Sequence, residues 1–411
     1  MPKTFDLVIL GGGASGLTSA IQSSKKGFST LLVDHNKSVG QKLCIAGGGF
    51  GNVTNRNISY QNYHGENQHF SKSILTRYDS EFIQKFICDF GFELEEREHG
   101  QLFLTKPAKQ LRDAMLQCAI LQGTKLALNE NIIAVEKEQN NDCFIVKLEH
   151  TEIYAKKLII ALGSPAYPQI GGSSKGVELL KSFGHKIIPF KPVLTPFVMP
   201  DNWELKGLQG ISLPVKIKID TRLLPKKEQA LHKEYHTDLL FTHNGISGPA
   251  CLQISLKWKS EMAILINFLP SQNILELISQ ERDSSQTTKK RQGTQKTLNF
   301  LAKLLPQRLV EQLIDTSIAH KKIAELSKNE INILTQRIHA YQANPSSCLG
   351  MKKAEAATGG ADTKYFSSQT LESKIVSSLY ACGEILDVTG ELGGYNLHWA
   401  FACGFAATEF L

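Results

Sequence analysis

The chain has 411 residues, a net charge of +7 and a sequence pI of 8.8, and this length predicts two or three domains. It contains no run of about 20 uncharged apolar residues, and the apolar run ending at Leu10 is too short for a secretory signal, so we expect neither a membrane span nor secretion. The eight cysteines form no Cys-x-x-Cys pair, which argues against zinc-knuckle and dithiol proteins and favours a cytoplasmic protein with reduced thiols.

The N-terminus predicts a strand, a glycine turn, a helix and a second strand. Two β-rich apolar runs, one ending at Leu10 and one at Asp34, flank the motif Gly11-x-Gly13-x-x-Gly16. Gly11 permits the tight turn, Gly13 lets the backbone approach a pyrophosphate, and Gly16 allows close packing of helix on strand. Asp34 follows Gly11 by 23 residues, close to the spacing of a carboxylate that binds a ribose diol. The pattern predicts dinucleotide binding at the helix N-terminus.

Residues 40–55 form a second glycine-rich segment. Three consecutive glycines at 47–49, outside a strand, indicate backbone that passes close to a flat or charged group. Asn52, Thr54 and Asn55 add hydrogen-bond donors and acceptors just after them. A flexible surface loop is the alternative interpretation, because glycine runs alone are often linkers.

The middle of the chain differs from its two ends. Residues 157–163 and 378–383 are apolar runs closed by glycine, which is typical of a parallel sheet covered on both faces. From about residue 191 to 269, alternating patterns punctuated by prolines predict short strands. From about 271 to 341 the pattern is helical, with capping-box spacing at Ser327 and Glu330. The sequence therefore predicts a nucleotide-binding domain interrupted by a β-rich insert with a helical piece.

The C-terminal segment favours FAD over NAD as the dinucleotide. Residues 382–387 end a buried strand at Asp387, and a helix of small residues begins near Asn396. An NAD domain needs no such closing element, whereas Asp387 can accept a hydrogen bond from a ribityl hydroxyl of FAD. The helix N-terminus would point its N–H groups at the flavin N1/C2 carbonyl edge, where it favours negative charge. A glycine-rich turn into a packing helix is the alternative.

Several stretches resemble a family of bacterial NAD(P)/FAD-dependent oxidoreductases, also described as aminoacetone-oxidase-like FAD-binding flavoproteins. They are residues 10–16 with 42–55, 161–168, 241–250, 305–309, and 355–360 through 394–397. The chain is more distantly similar to two-dinucleotide-binding-domain flavoproteins. The resemblance implies an α/β fold, with a discontinuous Rossmann-like FAD-binding domain, an inserted β-barrel-like domain and a small helical subdomain. Phe50-Gly51 stands where the family usually has Arg-Cys, so a role of that pair does not carry over.

We accordingly predict four segments and one cofactor site. Residues 1–190 and 343–411 form the two parts of the FAD-binding domain, 191–270 the β-rich insert and 271–342 the helical subdomain. The predicted cofactor-binding residues lie in the glycine turns and at the strand and helix ends described above: Gly11, Gly13, Ala14, Ser15, Gly16, Asp34, His35, Lys42, Gly47, Gly48, Gly49, Asn52, Thr54, Ala161, Gly163, Gly383, Glu384, Asp387, Gly394, Tyr395, Asn396 and Leu397.

The predicted activity is hydride transfer between flavin N5 and a small organic substrate, with NAD(P)H or dioxygen as redox partner. No second strand–GxGxxG–helix unit is present in the sequence, so NAD(P)H would be a transient co-substrate. His243 and Tyr395 are the candidate catalytic residues, and no metal or membrane partner is expected. An FAD-containing, RNA-associated protein is an alternative suggested by basic residues at 226, 227, 289–291, 321 and 322, although the aromatic residues of base-stacking surfaces are missing. A flavin-binding protein without turnover is the other alternative.

Overall fold

The computed structural model describes residues 4–138, 142–222, 224–230, 232–287 and 295–411. The strands are β1 (Thr4–Leu10), β2 (Thr30–Asp34), β3 (Asn52–Asn55), β4 (Tyr63–His64), β5 (Leu94–Glu96), β6 (Gln101–Leu104), β7 (Lys125–Leu128), β8 (Ile132–Glu138), β9 (Cys143–Leu148), β10 (Glu152–Ile160), β11 (Ile187–Val193), β12 (Phe197–Val198), β13 (Ser212–Ile219), β14 (Tyr235–Thr242), β15 (Gly245–Ser247), β16 (Ile264–Asn267), β17 (Tyr341–Ala343), β18 (Ser347–Cys348), β19 (Ala356–Ala361), β20 (Leu379–Ala381) and β21 (Thr389–Gly390).

The helices are α1 (Ala14–Lys25), α2 (Gln41–Ile45), α3 (Lys72–Arg77), α4 (Ser80–Cys88), α5 (Ala108–Leu121), α6 (Lys175–Ser182), α7 (Lys226–Gln229), α8 (Pro249–Ser255), α9 (Ile274–Thr287), α10 (Thr297–Leu301), α11 (Gln307–Leu313), α12 (Thr316–Ala319), α13 (Lys328–His339) and α14 (Tyr395–Glu409). Short 3₁₀ turns at Ala46–Gly49 and Gly383–Ile385 matter for the site. Within the described ranges, no helix combines the length and apolar character that a bilayer crossing requires.

The chain divides into two compact units, Met1–Val193 with Met351–Leu411, and Leu194–Gly350. The first unit is built on a sheet in the order β7-β2-β1-β10-β9-β8, with β20 also paired to β10. Strands β7, β2, β1, β10 and β20 run parallel, so Leu10, Ile160 and Ala381 lie side by side at their carboxyl ends. The predicted α/β class with a Rossmann-like parallel sheet is confirmed.

Helices α1 and α14 from opposite ends of the chain belong to this first unit. Eleven of the fifteen residues of α14 are buried, including Trp399 and Phe401 at 1% and 0% exposure, because most of the helix consists of small and apolar residues. Its C-terminal carbonyls are satisfied by Lys26, whose Nζ donates to Thr408 O at 2.7 Å and Glu409 O at 2.6 Å. A cation at a helix C-terminus also complements the helix dipole.

The second unit is an antiparallel sheet with helices packed on it. The strand order is β17-β16-β13-β14-β15-β12-β18, and the buried residues of the sheet share one core with those of α9 to α13. The predicted capping box is present at α13: Ser327 Oγ accepts from Glu330 N at 3.3 Å, and Glu330 Oε2 accepts from Ser327 N at 2.9 Å. The predicted division of the insert at residue 270 stays a prediction.

Candidate dinucleotide and active site

The glycine turn after β1 has the geometry of a phosphate cradle. Gly13 is the N-cap of α1, and no atom lies within 4 Å of the position that a Cβ on Gly13 would take. A Cβ on Gly16, by contrast, would lie 1.8 Å from Gly11 O, so only glycine lets the helix approach the turn so closely. The first N–H groups of α1 are therefore held near open space, which is the arrangement that binds pyrophosphate. Ala14 and Ser15 form the first turn of this helix and are buried.

Asp34 stabilises the glycine turn through hydrogen bonds to backbone N–H groups. Asp34 is 6% exposed, and its two carboxylate oxygens accept from Gly12 N at 2.6 Å and Asn36 N at 2.8 Å. His35 lies beside it, with Nδ1 3.8 Å from Asp34 Oδ1. A carboxylate has about four lone-pair sites, so these bonds leave capacity for a ribose hydroxyl. The ribose role of Asp34 and the role of His35 stay predictions.

The second glycine segment forms α2 and a tight turn rather than an extended linker. Gly47, Gly48 and Gly49 have φ of 57°, 67° and 92°. Lys42, on α2, donates from Nζ to Glu384 Oε2 at 2.6 Å, while Glu384 Oε1 accepts from Ala357 N at 3.0 Å. This pair links the second glycine segment to the Gly383–Ile385 turn near the far end of the chain.

The position of the family's cysteine faces the interior in this structure. Gly51 is buried with φ of 58°, and a Cβ there would lie 3.1 Å from both Ala108 Cβ and Leu104 Cδ1. Phe50, where the family usually has arginine, is 43% exposed. A side chain at position 51 would therefore enter the core between Leu104 and Ala108, whereas the side chain at position 50 faces solvent.

Two further predicted positions lie at the end of β10. Ala161 continues the strand and donates from its N to Leu10 O at 2.7 Å, so it sits beside the start of the glycine turn. Gly163 follows with open space around its Cβ position. Both are thus at the carboxyl edge of the parallel sheet, where dinucleotide cofactors bind in doubly wound folds.

The carboxylates of Glu384 and Asp387 lie in the same unit, and both accept hydrogen bonds from other residues of the protein. Asp387 is 3% exposed, and its Oδ2 accepts from Glu66 N at 2.7 Å. Burial raises the pKa of Asp387 above its ordinary value, and the backbone N–H groups of Glu66 and Gly359 oppose that rise. Gly383 lies close to α1, because a Cβ on it would be 3.0 Å from Ser15 Oγ. The ribityl contact of Asp387 stays a prediction.

The start of α14 is fixed by local and long-range hydrogen bonds. Gly394 is its N-cap, and the side chain of Asn396 closes the preceding turn by accepting from Gly390 N at 2.8 Å and donating to Gly390 O at 3.0 Å. Tyr63 donates from its hydroxyl to Tyr395 O at 2.9 Å. The amide of Asn396 is thus used within the protein, whereas Leu397 is half-buried beside it.

The two candidate catalytic residues have different settings. Tyr395 is 7% exposed, and burial followed by the charge of Glu391 raises its pKa to about 12. His243 is exposed in the two-residue turn between β14 and β15 of the second unit. The hydroxyl of Tyr395 is therefore protonated near neutral pH, and the catalytic roles of Tyr395 and His243 stay predictions.

Sequence reasoning missed a histidine that joins the two glycine-rich regions. His398 is fully buried, and its Nδ1 lies 2.8 Å from Thr54 Oγ1 while its Nε2 lies 3.0 Å from Tyr78 O. Because a carbonyl only accepts, Nε2 carries the hydrogen and Thr54 donates to Nδ1. Burial lowers the pKa of His398 to about 4. A polar residue two positions after the predicted helix start at Asn396 was the only signal available in the sequence.

The residues present fit an extended dinucleotide. The Cβ positions of Gly13, Gly48 and Gly163 have no atom within 4 Å. Gly13 lies at the N-terminus of α1, and the N-terminus of α14 lies in the same unit. The side-chain amide of Asn52 lies 2.7 Å from the side-chain amide of Gln101. The glycine turns leave backbone N–H groups that would bind phosphate, and the contacts of Glu384 and Asp387 with sugar hydroxyls stay predictions.

Comparison with known proteins identifies the family. The chain is 38% identical to a ribosomal RNA dihydrouridine synthase of Haemophilus influenzae, over 99% of this chain and 98% of that protein. It is 31% identical to a ribosomal RNA dihydrouridine synthase of Escherichia coli, over 99% and 98%. It is 26% identical to a 3-dehydro-bile acid delta(4,6)-reductase of Clostridium scindens, over 97% of both chains. The family described as HI0933-like protein Rossmann domain matches residues 5–410, so the predicted resemblance is confirmed and the chain belongs to that family.

Proposed function

We propose that this protein is an FAD-dependent reductase that hydrogenates the C5=C6 bond of a uridine in ribosomal RNA. The observation that carries the proposal is the nearly complete mutual coverage with two ribosomal RNA dihydrouridine synthases, at 38% and 31% identity. Matches of this extent include both the glycine turns of the first unit and the whole insert. The sequence alone favoured a small organic substrate, and these relatives favour the RNA-associated alternative instead.

The first unit supplies the groups that would hold FAD. The N-terminus of α1 at Gly13 would bind the pyrophosphate, Asp34 the adenosine ribose, and Asp387 with Glu384 the ribityl hydroxyls. When bound and reduced, FAD supplies a hydride from N5. The N-terminus of α14 would favour negative charge at the N1/C2 edge by about 0.3–2 kcal/mol. We propose NAD(P)H as the transient reductant of the flavin.

The charge of the chain is concentrated in the insert. Residues 194–350 contain 20 lysines and arginines against 14 aspartates and glutamates, a net charge of +6. The remaining residues contain 26 against 25, a net charge of +1. An excess of positive charge attracts RNA phosphates with a salt-dependent affinity, which supports a role of the insert in RNA binding. The basic residues 289–291 contribute to this count but lie outside the described residues.

A second candidate is the reduction of a small unsaturated ketone, which the bile acid reductase at 26% identity favours. The two candidate reactions share their chemistry. In uracil the C5=C6 bond is conjugated with the C4 carbonyl, and in a 3-oxo steroid a C4=C5 bond is conjugated with the C3 carbonyl. In both, hydride adds to the far carbon of the double bond, and a proton adds to the carbon nearer the carbonyl. The same site could therefore serve either substrate class.

The test uses full-length protein loaded with FAD and reduced without oxygen. It is mixed with a ribosomal RNA transcript, and nucleosides from the digested RNA are analysed by mass spectrometry. The proposal expects dihydrouridine, identified by a gain of two hydrogens on uridine, only when the reduced flavin is present. Unchanged RNA, beside rapid reduction of an unsaturated ketosteroid with re-oxidation of the flavin, would favour the second candidate. NADH and NADPH added separately to the oxidised protein show which one bleaches the flavin absorption band.

A further inference from the structure

The short strand β4 is held between two parts of the candidate cofactor site. His64, the second residue of β4, lies opposite Thr389 of β21 in an antiparallel pair. On one side of His64, Glu66 N donates to Asp387 Oδ2 at 2.7 Å. On the other side, the hydroxyl of the preceding tyrosine donates to Tyr395 O at 2.9 Å. Asp387 and Tyr395 both belong to the predicted cofactor-binding set, so the backbone position of His64 is fixed within that site.

The side chains of His64 and Glu391 meet on one face of this strand pair. Glu391 N donates to Asn62 O at 2.9 Å and so extends the pairing by one step. Asn62 and His64 are two residues apart on an extended segment, so they share a face. Asn62 Nδ2 donates to Glu391 Oε2 at 3.1 Å, and His64 Nε2 lies 3.5 Å from Glu391 Oε1. The Glu391 carboxylate therefore lies between an amide and an imidazole.

One ring nitrogen of His64 has a setting that differs from those of other buried histidines. Within the part of the chain that the structure describes, His64 Nε2 is buried and makes no hydrogen bond. Both ring nitrogens of His185 and of His398, by contrast, are hydrogen-bonded. Buried polar atoms nearly always have a partner, so an exception calls for an explanation such as a catalytic role. The side chain of His64 is 20% exposed, so solvent or a bound molecule reaches another part of it.

The carboxylate of Glu391 favours a positive charge on His64. Glu391 is 9% exposed, and a carboxylate so little exposed needs hydrogen bonds or a cation beside it. Asn62 supplies a hydrogen bond, and a protonated His64 ring would supply the cation. The charge of Glu391 also contributes, after burial, to the raised pKa of Tyr395, which places that carboxylate near the start of α14. The other charged groups of the segments around β4 are Glu66, Asp387 and Lys186.

We propose that His64 is the acid that protonates the substrate carbon next to the carbonyl, and that Glu391 is a positioning residue that holds its ring. This inference rests on the proposed function. In the step, hydride from the reduced flavin forms a C–H bond at the far carbon, and the carbon–carbon π bond breaks. The electron pair of that bond takes the proton from His64 Nδ1, so this N–H bond breaks and a second C–H bond forms. The substrate gains two electrons and two hydrogens, the flavin is oxidised, and solvent reprotonates Nδ1.

The two nitrogens of the ring have separate tasks in this step. Nε2 faces Glu391 and keeps its hydrogen throughout, because a carboxylate only accepts. Nδ1, on the other side of the ring, is the nitrogen that releases and regains a proton. The carboxylate stabilises the protonated ring before the transfer, and it holds the neutral ring in one tautomer after the transfer.

The first experiment measures re-oxidation of the reduced holoprotein by the ribosomal RNA transcript, without oxygen. His64→Gln should retain FAD and lower the re-oxidation rate about 10²- to 10⁴-fold, the usual contribution of a general acid. Glu391→Gln should cause a smaller loss. Because the acid must be protonated, the wild-type rate should fall as pH rises, and His64→Gln should lack that fall. His150→Gln, at an exposed position between β9 and β10, is the matched control and should behave as wild type.

A second measurement needs neither cofactor nor turnover. In apoprotein labelled with ¹⁵N at the histidine rings, the signals lost in His64→Gln identify His64. Nε2 of His64 should carry hydrogen at every pH, and Nδ1 alone should gain and lose a proton. In Glu391→Ala the hydrogen of the neutral ring should be distributed over both nitrogens. A neutral wild-type ring with its hydrogen on Nδ1 would contradict the inference.

The outcomes separate this inference from the proposed function. If wild type reduces the RNA and His64→Gln does so within about threefold of it, the inference is wrong while the proposed function stands. If wild type itself leaves the RNA unchanged, both fail. A loss of rate in His64→Gln that is the same at every pH would also contradict the role of His64 as the acid.

Discussion

Thr54 and His398 are separated by 344 residues in the chain, yet the Thr54 hydroxyl and His398 Nδ1 lie 2.8 Å apart in the interior of the first unit. The other ring nitrogen reaches Tyr78 O at 3.0 Å. One buried imidazole thus joins β3, the end of α3 and the first turn of α14. It fixes the N-terminus of α14 relative to the second glycine segment, and these are the two elements expected to contact the flavin from opposite ends of the sequence.

Replacing His398 should destabilise the protein. His398→Ala leaves the Tyr78 carbonyl and the Thr54 hydroxyl without partners in the interior, and a buried polar group without a partner costs about 1–3 kcal/mol. We expect the free energy of unfolding to fall by at least that amount in urea titrations. Thr54→Ser keeps the hydroxyl and is the control. A His398→Ala protein as stable as wild type would show that the two hydrogen bonds contribute nothing net.

His398 should also make stability depend on pH. Its pKa is lowered from 6.5 to about 4 in the folded protein, so the unfolded chain binds more protons between those values. Stability is therefore full above about pH 6.5 and falls as pH drops toward 4, by up to about 3 kcal/mol at 1.36 kcal/mol per pKa unit. His185, whose pKa burial also lowers, acts in the same direction. The difference in unfolding free energy between wild type and His398→Gln, measured as a function of pH, isolates the contribution of His398. A difference that stays constant between pH 4 and 6.5 would contradict it.

The open space at Gly13 allows a matched pair of substitutions. Gly13→Ala has room for its methyl group, since no atom lies within 4 Å of the Cβ position, and should bind FAD nearly as wild type does. Gly13→Asp places a negative charge where the pyrophosphate should bind. We expect its FAD affinity to fall at least about tenfold, which corresponds to about 1.4 kcal/mol. Equal affinities of the two variants, measured by quenching of flavin fluorescence, would place the phosphates elsewhere.

Positions 50 and 51 should respond differently to the residues usual in the family. Phe50→Arg changes an exposed side chain and should alter the free energy of unfolding by less than about 0.5 kcal/mol. Gly51→Cys forces a side chain into a left-handed conformation and against Ala108, which should cost about 1–3 kcal/mol. Thermal unfolding of the two single variants measures the contrast. A stable Gly51→Cys protein with a reactive thiol would mean that the position faces solvent.

The features that could be predicted from the sequence depend on neighbouring residues. The turn from Gly11 to Gly16, the buried strands and the capping box at Ser327 and Glu330 follow from local spacing, and the structure contains each of them. The helix predicted to begin near Asn396 starts at Tyr395. Local patterns were therefore sufficient for the α/β class and for most elements of the candidate site.

Features that depend on distant residues could not be predicted. Asp34 and Asn396 look like ligand-binding residues in the sequence, but their side chains also bond to nearby backbone, which only the folded geometry shows. The contact between Thr54 and His398 joins positions that no local pattern relates.

We propose that the two ends of the chain form one FAD site, and titration of the folded apoprotein with FAD measures whether that site exists. We expect saturable binding of one FAD per chain, with quenched flavin fluorescence and an unfolding temperature that rises with the FAD concentration. A protein that is folded by circular dichroism, but neither quenches nor is stabilised by excess FAD, would contradict it.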